Sequence, residues 1–161
     1  MEFKIRKALP DESIILTEIS FLSKHYWGYP DEYFDIWKHE LTITPEYIKH
    51  NHVFAAYTEE EILGYFSLVE VAEYFVTNEV GVDKGFWLEH IFIRPEYMRM
   101  GIGKKLIAFM QKYCRENNIS ELHIFSDPNA DGFYDSIGAE YVRNSPSSIQ
   151  GRNVSLYRLT I

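Results

Sequence analysis

Two glycines set two residues apart, followed at once by two lysines, are the part of this 161-residue chain most suited to chemistry. They lie in Leu88-Glu-His-Ile-Phe-Ile-Arg-Pro-Glu-Tyr-Met-Arg-Met-Gly-Ile-Gly-Lys-Lys-Leu106. An apolar run ends at Arg94-Pro95, a turn comes next, and a helical pattern begins near Gly101. The first amide N–H groups of a helix have no partner inside it, and the helix dipole adds positive character there, so such a start can bind an anion. Gly101 and Gly103 carry no Cβ, which allows a phosphate to approach the backbone. Lys104 and Lys105 stand in the first turn, where the dipole disfavours a cation by roughly 0.3–1 kcal/mol each. A bound polyanion would reverse that penalty. Arg94 and Arg99 complete a basic spot on an otherwise acidic chain. Solvent-facing lysines on a glycine-rich cap are the alternative explanation.

Spacing excludes two common phosphate loops. The NTPase loop requires glycine five residues before Gly103 and Ser or Thr after its lysine, but Met98 and Lys105 stand there. The dinucleotide fingerprint requires a third glycine where Leu106 stands.

The elements that must position this turn are read from periodicity. Phe3 to Lys7 reads as a short strand closed by Pro10. Asp11 or Ser13 is then a candidate cap for a helix with Ile14, Ile15, Leu16, Ile19, Phe21 and Leu22 on a helical period. Glu32 to Leu41 forms a second helix, and Thr44-Pro45 starts a third, with Thr44 as cap. Val53–Tyr57 and Ile62–Val71 read as a hairpin around Glu59-Glu60-Glu61, and Asn78 to Gly85 as a polar loop. Strand Trp87–Ile93 leads into helix Gly101–Asn117, whose buried stripe is Ile102, Leu106, Met110 and Tyr113. Strand Leu122–Phe125, helix Asn129–Ile137 and strands Ala139–Val142 and Val154–Leu159 complete the order. It describes one α/β (α+β) domain over residues 1–161.

Composition narrows the function. With 16 basic and 24 acidic residues the net charge is -8, a poor match to a nucleic-acid binder. No stretch approaches the ~18 apolar residues of a membrane span. The single cysteine, Cys114, has no internal disulfide partner, and the start Met1-Glu-Phe-Lys-Ile-Arg-Lys lacks a signal-peptide core, so a cytoplasmic protein is expected. Six histidines and one cysteine show no paired metal-ligand spacing, so no metal is expected.

Pro95-Glu-Tyr-Met-Arg-Met-Gly-Ile-Gly-Lys-Lys-Leu106 resembles the acyl-CoA loop of the GNAT superfamily of N-acetyltransferases, Arg/Gln-x-x-Gly-x-Gly/Ala. Phe133-Tyr-Asp-Ser-Ile-Gly-Ala139 resembles that family's later Phe-Tyr-x-x-x-Gly-Phe segment. Both stand in the family's order, with a helix and a strand between them. The resemblance implies a mixed, mostly antiparallel sheet of six to seven strands flanked by about four helices. It also implies transfer of an acetyl group from acetyl-CoA, as cosubstrate, to a primary amine of a small molecule. A non-catalytic acyl-CoA-binding module of the same fold is the alternative, and a homodimer is compatible with either. One position departs: Met98 stands where the family has Arg or Gln. The grip on the pyrophosphate then rests on the backbone of Arg99, Met100, Gly101, Ile102, Gly103 and Lys104, with the Arg99 side chain able to compensate.

By the same resemblance, the backbone of Ile91 and Ile93 pairs with the pantetheine arm, and the amide of Ile91 or Phe92 polarises the thioester carbonyl. Tyr134 matches the residue that protonates the departing thiolate, beside Phe133, and Asn129 either caps their helix or contacts coenzyme A. Glu89 occupies the place of the general base. Strand alternation sets it with Trp87, Ile91 and Ile93 and sets His90, its competitor, with Phe92. Apolar neighbours would raise the pKa of Glu89 toward the value a base needs. The acceptor falls to the aromatic segment His25-Tyr-Trp-Gly-Tyr29, with Trp27 and Tyr29 as lining residues and Ser147–Arg152 as a second border.

Overall fold

The computed structural model describes residues Met1–Ile161. Strand β1 (Lys4–Lys7) leads through one 3-10 turn into α1 (Ser13–His25), α2 (Asp31–Leu41) and α3 (Pro45–His50). Strands β2 (His52–Tyr57), β3 (Ile62–Val71), β4 (Phe75–Thr77), β5 (Val80–Val82) and β6 (Gly85–Ile93) come next. Helix α4 (Ile102–Glu116), strand β7 (Glu121–Ser126), helix α5 (Asp131–Ser136) and strands β8 (Glu140–Pro146) and β9 (Asn153–Thr160) end the chain. Seven strands form one mixed sheet in the order β1-β2-β3-β6-β7-β9-β8, and β4 pairs with β5 in a separate two-stranded sheet. The expected architecture holds, with five α-helices. By its internal contacts the chain divides into two compact units, Met1–Leu68 with His90–Met110, and Val69–Glu89 with Gln111–Ile161.

The first unit is built on the antiparallel strands β1, β2 and β3. Leu16 and Ile19 of α1, Ile48 of α3, Val53 and Ala55 of β2, and Ile62 and Tyr65 of β3 form its core. Burial of each large aliphatic side chain contributes roughly 1.5–3 kcal/mol. Phe54 and Phe66 stack at 5.4 Å, and Phe109 of α4 packs on Phe54 at 5.1 Å.

The buried stripe of α1 differs from the expected one. Ile14 is 80% exposed and Leu22 39%, whereas Ser13, Ser20 and Ser23 are buried beside Leu16 and Ile19. Positions 13, 16, 20 and 23 share one helical face, and serine is tolerated there because its hydroxyl finds partners. Ser20 Oγ donates to Leu16 O at 2.9 Å and lies 2.6 Å from the buried Tyr65 hydroxyl. Thr44 caps α3 as expected, accepting from Tyr47 N at 3.0 Å.

Neither Asp11 nor Ser13 caps α1; its N-cap position is Glu12, with no side-chain cap bond. The Glu12 carboxylate instead accepts from Leu9 N at 2.8 Å and from both terminal nitrogens of Arg6 at 2.8 and 2.7 Å.

In the second unit β7 pairs antiparallel with β9, and β9 with β8, at the edge of the sheet. Leu122, Ile124, Leu156 and Leu159 are buried, as are Cys114 and Ile119. Burial pushes the Cys114 thiol up to about 11, so the one cysteine is an inert apolar side chain. The expected loop Asn78–Gly85 contains strand β5 instead. Asn78 and Glu79 take φ of 48° and 65°, which turns the chain in two residues and lets β5 pair with β4. The expected helix Asn129–Ile137 is a 3-10 turn, Pro128–Ala130, that runs into α5, and β8 continues to Pro146. Tyr113 is half-buried, and the stripe of α4 continues through Cys114.

The Arg6 hydrogen bonds hold the Glu12 carboxyl below its ordinary pKa. Glu12 therefore stabilises the fold above the ordinary glutamate range and loses that contribution as pH falls through its depressed pKa. Glu12→Gln is expected to destabilise the protein by about 0.5–1 kcal/mol at neutral pH, a modest figure because Arg6 is partly exposed. In urea unfolding the gap to wild type should close as the pH drops below ~4. A gap that stays constant with pH would show that the ion pair is not its source.

Candidate functional site

Strand β6 ends at Ile93, and Arg94 N donates to Leu63 O at 2.8 Å, anchoring the chain where the strand stops. Residues Pro95–Tyr97 make one 3-10 turn, Met98 is extended, and Arg99 and Gly101 take φ of 63° and 83°. For a residue with a side chain, left-handed φ costs roughly 1 kcal/mol. Helix α4 starts immediately afterwards. Its first helical bond runs from Lys105 N to Gly101 O at 3.2 Å, so the amides of Ile102, Gly103 and Lys104 precede it without a helical acceptor. The buried Ile102 pins this end of the helix, while Arg99, Met100, Gly101 and Lys104 are exposed. A Cβ built at Gly101 would meet nothing within 4 Å. The loop thus has room beside Gly101 and amides without a helical acceptor, two features that suit a phosphate group.

The basic spot is smaller than the sequence suggests. The Arg94 side chain is only 12% exposed and is engaged by Glu18, Glu61 and the Ile62 carbonyl. The Lys105 ammonium lies 5.1 Å over the Phe3 ring. Arg99, Lys104 and Lys105 are the exposed cations of the loop.

Along β6 the alternation is as expected in direction and different in environment. His90 lies 5.5 Å from the Phe92 ring, with Tyr47 and Tyr65 at 6.2 and 6.3 Å. Trp87 is buried on His123 and Phe125, at 4.9 and 4.7 Å, and its Nε1 donates to Asp83 O at 2.8 Å. Glu89, two residues on, is exposed, so the apolar enclosure expected around it is absent. Ile91, Phe92 and Ile93 are half-buried. Although β6 has nine residues and β7 six, the two pair in parallel at one register position, Trp87↔His123.

The second unit holds the tyrosine. Tyr134 is 5% exposed on α5, its ring packed by Phe133 at 5.5 Å and Tyr157 at 5.8 Å. Burial first, and then the Asp127 and Asp131 carboxylates, push its phenol pKa well above the usual value, so it stays protonated. Every enclosed side-chain oxygen in the molecule has a hydrogen-bond partner. No hydrogen bond within the protein engages the Tyr134 hydroxyl. By contrast Tyr157 Oη donates to Asp135 at 2.9 Å.

A helix of six residues cannot hold a ring in place alone. Asp131, at its start, accepts from the buried Ser126 at 2.6 Å and from Ser155 at 3.1 Å, which ties α5 to β7 and β9. Asn129 is exposed and caps neither α5 nor the 3-10 turn before it; Asp127 caps that turn, accepting from Asn129 N at 2.9 Å, and α5 has no side-chain cap. Sequence reasoning misses both aspartates, because the partners that give Asp131 its role lie in other strands and Asp127 precedes the expected helix start.

On the acceptor side, Trp27 is 41% exposed and touches Tyr26 edge-on at 4.9 Å. Tyr29 packs against Trp37 at 5.0 Å, with the Lys24 ammonium 4.3 Å over Trp37. Ser147 to Arg152 closes on itself through Ser147 N to Arg152 O at 3.1 Å and buries Ile149. No group of three or more His, Cys, Asp or Glu is arranged to hold a metal ion. No helix is long and apolar enough to cross a membrane.

Comparison with known proteins matches this geometry to a family. The model of the acetyltransferase (GNAT) family matches residues 18–139. No curated protein sequence matches the chain. Among solved structures, the PaiA N-acetyltransferase from Thermoplasma acidophilum in complex with coenzyme A is similar over 100% of both chains, at 19% identity and a TM-score of 0.76. A GCN5-related N-acetyltransferase from Rhodopseudomonas palustris matches 100% of this chain and 97% of its own, at 15% identity and a TM-score of 0.77. The ribosomal-protein-S18-alanine N-acetyltransferase from Escherichia coli matches 99% and 94%, at 15% identity and 0.67. At these identities the structures establish the fold, and the family match over most of the sequence establishes kinship. The chain belongs to the acetyltransferase (GNAT) family.

Proposed function

We propose that this protein transfers the acetyl group of acetyl-CoA directly to a primary amine of a small molecule, with Glu89 as general base and Tyr134 as general acid, and that residues 1–161 act as one catalytic domain. The observation that carries the reading is the Tyr134 hydroxyl, protonated on a buried ring and engaged by no hydrogen bond within the protein. A phenol in that state has a hydrogen bond to give, which a departing thiolate needs. A module that only bound acyl-CoA would have no use for it.

In this reading the backbone of Arg99 to Lys104, including Met100, Gly101, Ile102 and Gly103, holds the pyrophosphate, aided by the exposed Arg99 and Lys104 side chains. The pantetheine arm runs along Ile91 and Ile93, with the Ile91 or Phe92 amide on the thioester carbonyl. Phe133 and Asn129 complete the contacts to coenzyme A. The ammonium of the acceptor first gives one proton to Glu89, and the neutral nitrogen attacks the carbonyl carbon. The C–N bond forms as the C–S bond breaks, and Tyr134 gives its proton to sulfur. The surplus proton on the new amide nitrogen leaves to water, from which Tyr134 is reprotonated. The exposure of Glu89 suits exchange of its own proton with water. Trp27 and Tyr29 border the acceptor, which the acidic chain favours as a cation. The lone buried Cys114 fits a reducing compartment, and we place the protein in the cytoplasm.

A second reading keeps the donor and replaces the acceptor by a protein N-terminus, as the name of the S18-alanine enzyme from Escherichia coli indicates for that protein. Thiol release from acetyl-CoA, measured against small amines and short peptides with free N-termini, separates the two. Gly103→Val is expected to abolish coenzyme A binding in calorimetry, because its side chain fills the phosphate approach; retained affinity would defeat the backbone cradle. Tyr134→Phe should lower turnover about 10²-fold while coenzyme A affinity stays near wild type. An unchanged turnover would remove Tyr134 from the mechanism.

A further inference from the structure

The side chains of Arg94, Glu61 and Tyr97 meet where β6 hands over to the phosphate loop. Arg94 Nε donates to Ile62 O at 2.7 Å, and Nη1 donates to Glu18 Oε1 at 3.1 Å. Glu61 Oε2 lies 3.7 Å from the same Nε. Tyr97 Oη donates to Glu61 Oε1 at 2.5 Å. The backbone repeats the pattern, with Tyr97 N donating to Arg94 O at 2.9 Å and Met98 N to Pro95 O at 3.2 Å. Both ends of the three-residue turn Pro95–Tyr97 are therefore fastened to one carboxylate, Glu61, just before β3.

That fastening has a purpose in the geometry. Two residues after Tyr97, Arg99 takes a left-handed φ of 63°, a strained state that persists only where the surroundings impose it. The segment between Tyr97 and α4 is exposed from Arg99 to Gly101 and has no core contact to impose it. Its two ends must do so instead. The N-terminal end is fixed by the Glu61 contacts, and the C-terminal end is pinned by the buried Ile102. Arg94 itself is neutralised by Glu18 and Glu61, so its charge is not available to a phosphate.

We propose that Arg94, Glu61 and Tyr97 form a lock that positions the Arg99–Gly103 loop, and thereby sets the affinity for the pyrophosphate of acyl-CoA without touching it. This inference rests on the donor assignment above. The hydrogen bond to Glu61 also raises the Tyr97 phenol pKa, so Tyr97 remains a donor throughout the physiological range. The three are positioning residues. Their loss should act through the loop amides.

The test uses the full chain and coenzyme A. In Tyr97→Phe, the dissociation constant from calorimetry should rise about three- to tenfold, the effect of one hydrogen bond. The melting temperature should not change, because Glu61 is exposed enough to bond water instead. In NMR spectra of the free protein, the amide signals of Met98 to Gly103 should shift or broaden while those of α5 stay in place. Glu61→Gln, which keeps an acceptor for Tyr97, should bind coenzyme A more tightly than Glu61→Ala. Wild-type affinity in Tyr97→Phe, or equal affinities for the two Glu61 variants, would overturn the lock while leaving the donor assignment standing. Failure of the wild-type protein to bind coenzyme A would remove both.

Discussion

Between Met98 and Ile102 the backbone must pass from the end of a 3-10 turn into a helix whose first amides have no helical acceptor. Two left-handed residues accomplish this, Arg99 and Gly101, and everything proposed for the chain depends on that short reversal. Glycine takes such a conformation freely, whereas arginine does so at a cost. The conformation therefore has to be held from both sides. On one side β6 is anchored by Arg94 to the start of β3; on the other Ile102 is driven into the interior, with Leu106 and Met110 behind it at helical spacing. The apolar stripe of α4 thus fixes the direction in which its unpaired N–H groups point.

The second unit solves a different problem, that of keeping one phenol available. A buried tyrosine hydroxyl usually finds a partner inside the protein, as those of Tyr65 and Tyr157 do. Tyr134 keeps its ring among Phe133 and Tyr157, with no hydrogen bond within the protein to its hydroxyl. Its six-residue helix is too short to be stable alone, and Asp131 supplies the missing restraint through Ser126 and Ser155. The same carboxylate helps keep the phenol protonated. One residue thus contributes to position and to protonation state together.

Much of this is legible in the sequence, for identifiable reasons. Short apolar runs locate β2 and β3, which are buried on both faces, and a 3.6-residue stripe locates α4, which buries one. The Gly-x-Gly turn and the Phe133-Tyr134 pair are visible as local strings. Failures occur where a partner lies far along the chain. Serines in the buried stripe of α1 look solvent-facing, because the Tyr65 hydroxyl that meets Ser20 is 45 residues away. Glu61 looks like part of a charged turn, since Tyr97, its partner, is 36 residues on. Strand parity suggests an enclosed Glu89, yet parity assigns a face and not the neighbours that cover it.

Every functional proposal for this chain requires the loop before α4 to hold the pyrophosphate of coenzyme A. Calorimetric titration of the unmodified protein with coenzyme A probes that requirement without any knowledge of the acceptor. Saturable binding of one coenzyme A per chain is expected, weakened as salt is added, since the proposed loop carries the exposed cations Arg99, Lys104 and Lys105. An absence of binding heat at any temperature tried, with the protein folded throughout, would contradict it.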